Sequence, residues 1–231
     1  MKIKQQENKK NSENESQNNL KTILKRFWQF FWYEDSIASW LLNIIVAFVV
    51  IKFLVYPGLG LLLGTPFPIV AVVSESMEHA PENGVLCGQQ FGEFQESFDN
   101  YWKVCGGWYE ERKISKEKFQ SFPFTNGFNK GDVIILWRAN SNVRIGDILV
   151  FQGDRPQPII HRVVLMKEEN GEWFYQTKGD HNHESINSGI GEMHIGQERV
   201  YGKGIFRIPY LGWVKIIFVE IAKVFGVTIQ R

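Results

Sequence analysis

The feature that most constrains this chain is the apolar run from Ile37 to Leu63, broken only by Ser39, Asn43, Lys52 and small turn residues. A helix of about 20 residues spans the roughly 30 Å hydrocarbon layer of a bilayer, so one transmembrane helix is the natural reading. Lys52 lies past the midpoint and can extend its ammonium toward the headgroups, while Pro57 and the glycines at 58, 60 and 64 should loosen the last turns.

The flanks orient the span. Residues 1 to about 27 are rich in Lys, Asn, Gln, Glu and Ser, with almost nothing to bury, and read as a disordered tail. Its lysines and Arg26 outnumber the acids Glu7, Glu13 and Glu15, which puts this end in the cytoplasm. Phe27, Trp28, Phe30, Phe31, Trp32 and Tyr33 then form an aromatic cluster of interfacial type. A tail this long is unlike the short charged region of a cleaved leader.

Beyond the span, the 231 residues, 44% hydrophobic, leave material for one sizeable core. A net charge of +1 excludes the strong basic excess of a nucleic-acid binder. Two cysteines, Cys87 and Cys105, are too few for a disulfide-built scaffold but can form one bridge in an oxidising compartment. With no C-x-x-C pair, and with His79, His181, His183 and His194 scattered through polar loops, no metal or cofactor is implied.

Pro68–Val73 is short and β-branched, a strand leading directly into Ser74-Glu75-Ser76-Met77. Residues 83–129 lack a clear period and read as an inserted subdomain or long loop, helical around Ser115–Phe119, whose aromatics give it a small core or else a membrane- or substrate-facing surface. Afterwards the chain becomes regular. Short apolar runs at 133–137, 148–151, 159–164 and 173–176 are bounded by turn residues such as Gly131-Asp132, Gly146-Asp147 and Asn170-Gly171, and a further strand pair is expected over 199–208. The fold class is therefore a mainly β, antiparallel domain over 64–212, behind one N-terminal transmembrane helix. The segment 213–231 carries Lys215, Glu220 and Lys223 on one broad face and reads as an amphipathic helix, lying on a bilayer or covering the β domain rather than spanning.

A serine hydroxyl is a weak nucleophile unless a base lies within hydrogen-bond reach, and His161 is the candidate base. Ser74-Glu75-Ser76-Met77 after an apolar anchor, Gly146-Asp147, His161-Arg162-Val163-Val164 and Thr177-Lys178-Gly179-Asp180, in that order, resemble the motifs of type I signal peptidases. The version with histidine in place of lysine is that of archaeal and endoplasmic-reticulum enzymes, and 204–213 resembles the closing segment of archaeal members. The resemblance covers roughly residues 37–215 without the insertion.

It implies Ser76 as nucleophile, His161 as general base, and Asp180 as the acid that orients the histidine, with Glu184 as the substitute. The Ser76 N–H and the Ser74 hydroxyl match the oxyanion donors. It also implies signal-peptide-bearing precursors as substrates, a lipid bilayer and the protein-translocation machinery as partners, and a catalytic domain on the extracellular side of the cell membrane. Two departures stand out. Glu78-His79-Ala80 intervenes before Pro81, and Ile186 occupies the position, about six past Asp180, where the family often places a second acid. Readings from other classes are a thiol transpeptidase using Cys87 or Cys105 with His161 and Arg162, and a non-catalytic binding homologue.

Overall fold

The structure is a computed structural model that describes residues 21, 22, 25, 26, 28, 29, 32–34, 36–140 and 142–224, with side chains at 215, 218, 220 and 222–224 left aside. It divides into two compact units, residues 1–58 and 59–231. The expected tail up to residue 20 lies outside the described residues. Positions 21, 22, 25 and 26 are helical rather than irregular, and Trp28 and Trp32, one turn apart, pack their rings 5.6 Å between centroids.

Ile37–Leu63 forms one helical run, long and apolar enough to cross a membrane. It begins as α1 (Ile37–Val50), capped by the Ser36 hydroxyl, which accepts from Ser39 N–H. Residues Ile51–Val55 widen into a π-turn before α2 (Tyr56–Leu63). Pro57 explains the widening, since its ring would collide with the Phe53 carbonyl one α-turn earlier and has no N–H to offer it. Gly64, at φ +65°, ends the helix in the left-handed conformation.

The second unit is built on a seven-stranded antiparallel sheet. Its strands are β1 (Ile69–Ala71), β4 (Val133–Trp137), β5 (Ile148–Gln152), β6 (Pro158–Glu169), β7 (Glu172–Lys178), β8 (Ile195–Gly196) and β9 (Val200–Ile208). The spatial order is β1-β4-β9-β5-β6-β7-β8, so β1 is an edge. In place of the strand pair expected over 199–208 there is one strand, β9, which pairs with both β4 and β5. Gly204 sits at the bulge opposite Ile135 and Leu136, and Gly202 lets the Trp137 carbonyl approach to a distance that a side chain would block. Asn170 and Gly171, both at positive φ, make the two-residue turn that fixes the β6–β7 register.

Alternation along β5 buries both faces. Ile148 and Val150 join one cluster with Val72, Met77 and Ile160, while Leu149 and Phe151 join another with Val163 and Tyr175. The acids of the two expected turns are structural: Asp132 accepts from Asn129 N–H and Tyr210 N–H, and Asp147 accepts from Arg144 N–H and Lys203.

The insertion is more ordered than its sequence indicates. It holds a two-stranded hairpin, β2 (Val85–Leu86) and β3 (Gln89–Gln90), then α3 (Phe98–Glu110) and α4 (Lys116–Gln120). Ser97 and Ser115 cap the two helices. Tyr101, Cys105 and Tyr109 recur every four residues and bury one face of α3 around Phe119. Cys87 and Cys105 are joined by a disulfide. The C-terminal helix α5 (Trp213–Val224) buries Ile216 and Val219 and leaves Val214, Ile217 and Ile221 exposed.

Phe119 is fully buried and touches the rings of Tyr101, Trp102, Tyr109 and Phe122. Phe119→Ala is expected to cost about 3–5 kcal/mol, read as a lower denaturation midpoint at unchanged slope.

Candidate active site

His161 and Arg162 are neighbours on β6 and so face opposite sides of the sheet. Across β5, His161 pairs with Leu149 and Arg162 with Ile148; across β7, Arg162 pairs with Lys178. The parity carries on past the end of β7. Gly179 falls on the His161 side, Asp180 on the Arg162 side.

On the Arg162 side lies a buried charge centre. Arg162 and Asp180 are both fully buried and joined by three hydrogen bonds, Nε to Oδ1 at 2.9 Å and to Oδ2 at 3.2 Å, and Nη2 to Oδ2 at 2.7 Å. The guanidinium also donates to the carbonyls of Pro123, Gly146 and Phe124. Asp180 accepts further from Tyr109 Oη at 3.1 Å and pairs with His79 Nε2 at 3.0 Å. Burial alone would raise its pKa, but the guanidinium and the His79 hydrogen bond prevail and hold the carboxyl well below the usual carboxylate range. The same burial pulls the Lys178 ammonium down to about 7, against the opposing pull of Asp180 and Glu192. Lys178 donates to the carbonyls of Gly179 and Asp180 and lies over the rings of Trp108 and Tyr109.

The expectation that Asp180 orients His161 therefore fails at the level of contact. His161 Nδ1 is hydrogen-bonded instead to Oε1 of Glu192, a fully buried carboxylate. Glu192 is itself fixed: its Oε2 accepts from Ile186 N–H, and its main chain bonds Ile186 and Thr177. Ile186, at the position where an acid was sought, thus holds the acid that takes its place. Glu184 makes no hydrogen bond to His161. Glu192 was not singled out in the sequence. Its only signal there is a carboxylate between Gly191 and the short strand at 195–196, in a loop whose path the motifs do not reveal.

The other ring nitrogen, His161 Nε2, faces Gly179 and Ser76. A Cβ on Gly179 would stand 2.9 Å from that nitrogen and 2.7 Å from the Ser76 carbonyl oxygen, so glycine is what lets the two segments meet. Ser76 Oγ lies 3.2 Å from Ser74 Oγ; among the described residues it is not hydrogen-bonded to His161. Among the described residues the Ser76 N–H meets no acceptor, so this donor remains available. Ser74, Ser76 and His161 share one groove of about 350 Å³, which runs along Val70–Val73 and has Ile159, Ile186 and Ile190 on its wall. Two of the four remaining histidines are used elsewhere: His79 stacks on Tyr101 and His194 on Phe174. Both cysteines are in the disulfide, which leaves no thiol for a transpeptidase.

A buried carboxylate, an imidazole and two serines in an apolar groove form an arrangement suited to acyl transfer. Comparison with known proteins points the same way. The chain is 34% identical over 102 residues to the signal peptidase complex catalytic subunit SEC11C of Homo sapiens, covering 42% of this chain and 53% of that protein. Over this stretch it is a homologue of signal-peptidase catalytic subunits. SEC11 of Yarrowia lipolytica is 29% identical over 97 residues, 40% of this chain and 56% of that protein, and SEC11 of Candida tropicalis 31% over 97 residues, 40% and 58%. The chain thus spans little more than half the length of these relatives. No protein-family model matches it.

The two carboxylates should separate on mutation. Glu192→Gln is expected to lower turnover of a peptide substrate about 10²-fold or more by losing the imidazolium partner, with stability nearly kept. Asp180→Asn leaves a buried guanidinium without its counter-charge and should cost about 3 kcal/mol. Because the folded Asp180 titrates below its unfolded value, its stabilisation is fully present above about pH 4 and is lost as the pH falls further. Denaturation midpoints from pH 7 to 2 should show this acid loss in the wild type and not in Asp180→Asn.

Proposed function

We propose that this protein is a membrane-anchored serine endopeptidase that removes N-terminal signal peptides from secreted precursors. The observation that carries the reading is the groove in which the edge strand β1 leads into Ser74 and Ser76 beside His161, itself backed by Glu192. The homology to SEC11 subunits, named catalytic subunits of the signal peptidase complex, supports it.

Ser76 Oγ attacks the scissile carbonyl while its proton passes to His161 Nε2. Glu192 holds the imidazole by Nδ1 and stabilises the imidazolium that forms. The negative charge on the carbonyl oxygen is met by the Ser76 N–H and the Ser74 hydroxyl; one such donor is worth about 10²–10³ in turnover. The tetrahedral adduct expels the amine of the mature chain, which takes the proton back from His161, and leaves an ester on Ser76. Water, activated by the same nitrogen, hydrolyses that ester and frees the signal peptide.

An extended precursor would add to the free edge of β1, with main-chain hydrogen bonds for affinity and the small apolar groove selecting small side chains near the scissile bond. The single helix at 37–63 and the basic segment ahead of it support an N-terminus in the cytoplasm and a catalytic unit on the outer face of the cell membrane. Only five residues separate Leu63 from Ile69, so the site stays within reach of a precursor emerging from the bilayer. The translocation machinery is the natural supplier of such precursors.

The test is cleavage of a secretory precursor in liposomes by the full chain. Wild type should release the mature protein, and Ser76→Ala and His161→Ala should each lose at least about 10³-fold. Equal cleavage by wild type and Ser76→Ala would contradict the mechanism; a wild type that binds precursor without cutting it would favour a non-catalytic homologue.

A further inference from the structure

Both ends of the 83–129 insertion come back to the nucleophile. At its far end, Phe128 N–H donates to the Met77 carbonyl, and a Cβ on Gly127 would stand 2.8 Å from the His79 ring. At its near end, Cys87 N–H donates to the His181 carbonyl at 3.0 Å, and the His181 N–H donates to the Ser76 carbonyl at 3.0 Å. One residue, His181, thus passes the position of the insertion to Ser76 through its own two backbone groups.

Tyr101 on α3 adds two more links. Its hydroxyl donates to the Asp180 carbonyl at 3.0 Å, and its ring lies flat on His79, 3.5 Å between centroids with 2° between planes. His79 is three residues past Ser76. Cys87 Sγ also rests 3.4 Å from the Asp180 carbonyl, a packing contact, because a disulfide sulfur has no hydrogen to donate.

The near end cannot hold itself. β2 and β3 are two residues each, joined by Cys87 and Gly88, both at positive φ, and a hairpin of this length is not stable alone. The bond from Cys87 to Cys105 ties it to the buried face of α3.

We infer that the disulfide-closed insertion is a positioning device for Ser76, in which the Cys87–Cys105 bridge and Tyr101 fix the 180–181 backbone and, through it, the nucleophile relative to His161. The inference rests on reading Ser76 as the nucleophile. Tyr101 and Cys87 are positioning residues; neither touches the groove. Such a bridge persists only in an oxidising compartment, so the enzyme is fully competent outside the cytoplasm.

The test uses the full chain in detergent micelles, with a secretory precursor as substrate and kcat and KM measured separately. The samples are the oxidised wild type, the wild type reduced by a phosphine with both thiols counted by mass, Cys105→Ser, Tyr101→Phe and Ser76→Ala. Misplacing a nucleophile by about 1 Å can cost up to about 10²-fold. Reduction and Cys105→Ser should each lower kcat about tenfold or more with KM within about twofold, and reductant should add nothing to Cys105→Ser. Tyr101→Phe keeps the ring on His79, loses the hydroxyl's bond to the Asp180 carbonyl and its longer contact with Tyr109 Oη, and should lower kcat about threefold.

If Cys105→Ser fails to fold, the reduced wild type and Tyr101→Phe still decide. An unchanged kcat in the fully reduced enzyme, or a rise in KM alone, overturns the positioning role while an inactive Ser76→Ala leaves the peptidase reading intact. An active Ser76→Ala overturns both.

Discussion

The buried guanidinium of Arg162 is the interaction on which the rest of this unit depends. It reaches the carbonyls of Pro123 and Phe124 at the end of the insertion, the Gly146 carbonyl before β5, and the carboxylate of Asp180 after β7. Three separate stretches of chain are held to β6 by one side chain. A cation so enclosed is tolerated only because its nitrogens each donate to an oxygen and its flat face lies on the Phe119 ring, and that need has fixed the course of the backbone on either side of the groove. Asp180 is therefore an architectural acid, and its contacts with His79 and Tyr109 extend the same framework toward the segment that carries Ser76.

Strand parity divides this framework from the chemistry. Because consecutive residues of β6 face opposite ways, His161 is turned away from the charge centre that its neighbour organises. It faces Gly179, Ser76 and Glu192 instead. A carboxylate already committed to an arginine would be a poor partner for an imidazole base; Glu192 has one oxygen on Ile186 N–H and the other on His161, and Lys178 acts on it only through space.

Much of this was legible in the sequence. The 37–63 span, the short strands between turn signals and the Asn170-Gly171 hairpin follow from local patterns that tertiary packing does not override. Ser74, Ser76 and His161 follow from ordered motifs, and the structure brings them to one groove. Helix α3 was hidden because Gly106-Gly107 is a poor helix centre; a Cβ on Gly106 would lie 2.6 Å from the ring of Trp102, one turn earlier on the same helix, so the seating of that ring selects glycine against propensity. Glu192 was hidden because its approach depends on a loop path through Ile186 that no spacing rule encodes. The assignment of Asp180 followed a motif, whereas counting parity from the Arg162–Lys178 pair would have placed it on the wrong side of the sheet.

The central claim is that Ser76 is acylated with His161 as its base. The most direct measurement is intact-protein and peptide mass spectrometry after brief exposure of the full chain to a slowly deacylating ester of a signal-peptide C-terminal segment. The account predicts one acyl group per chain, on the peptide containing Ser76, forming in the wild type and absent from Ser76→Ala and His161→Ala. A wild type that cleaves precursors while carrying its acyl group on another residue, or that labels equally well without His161, would contradict it.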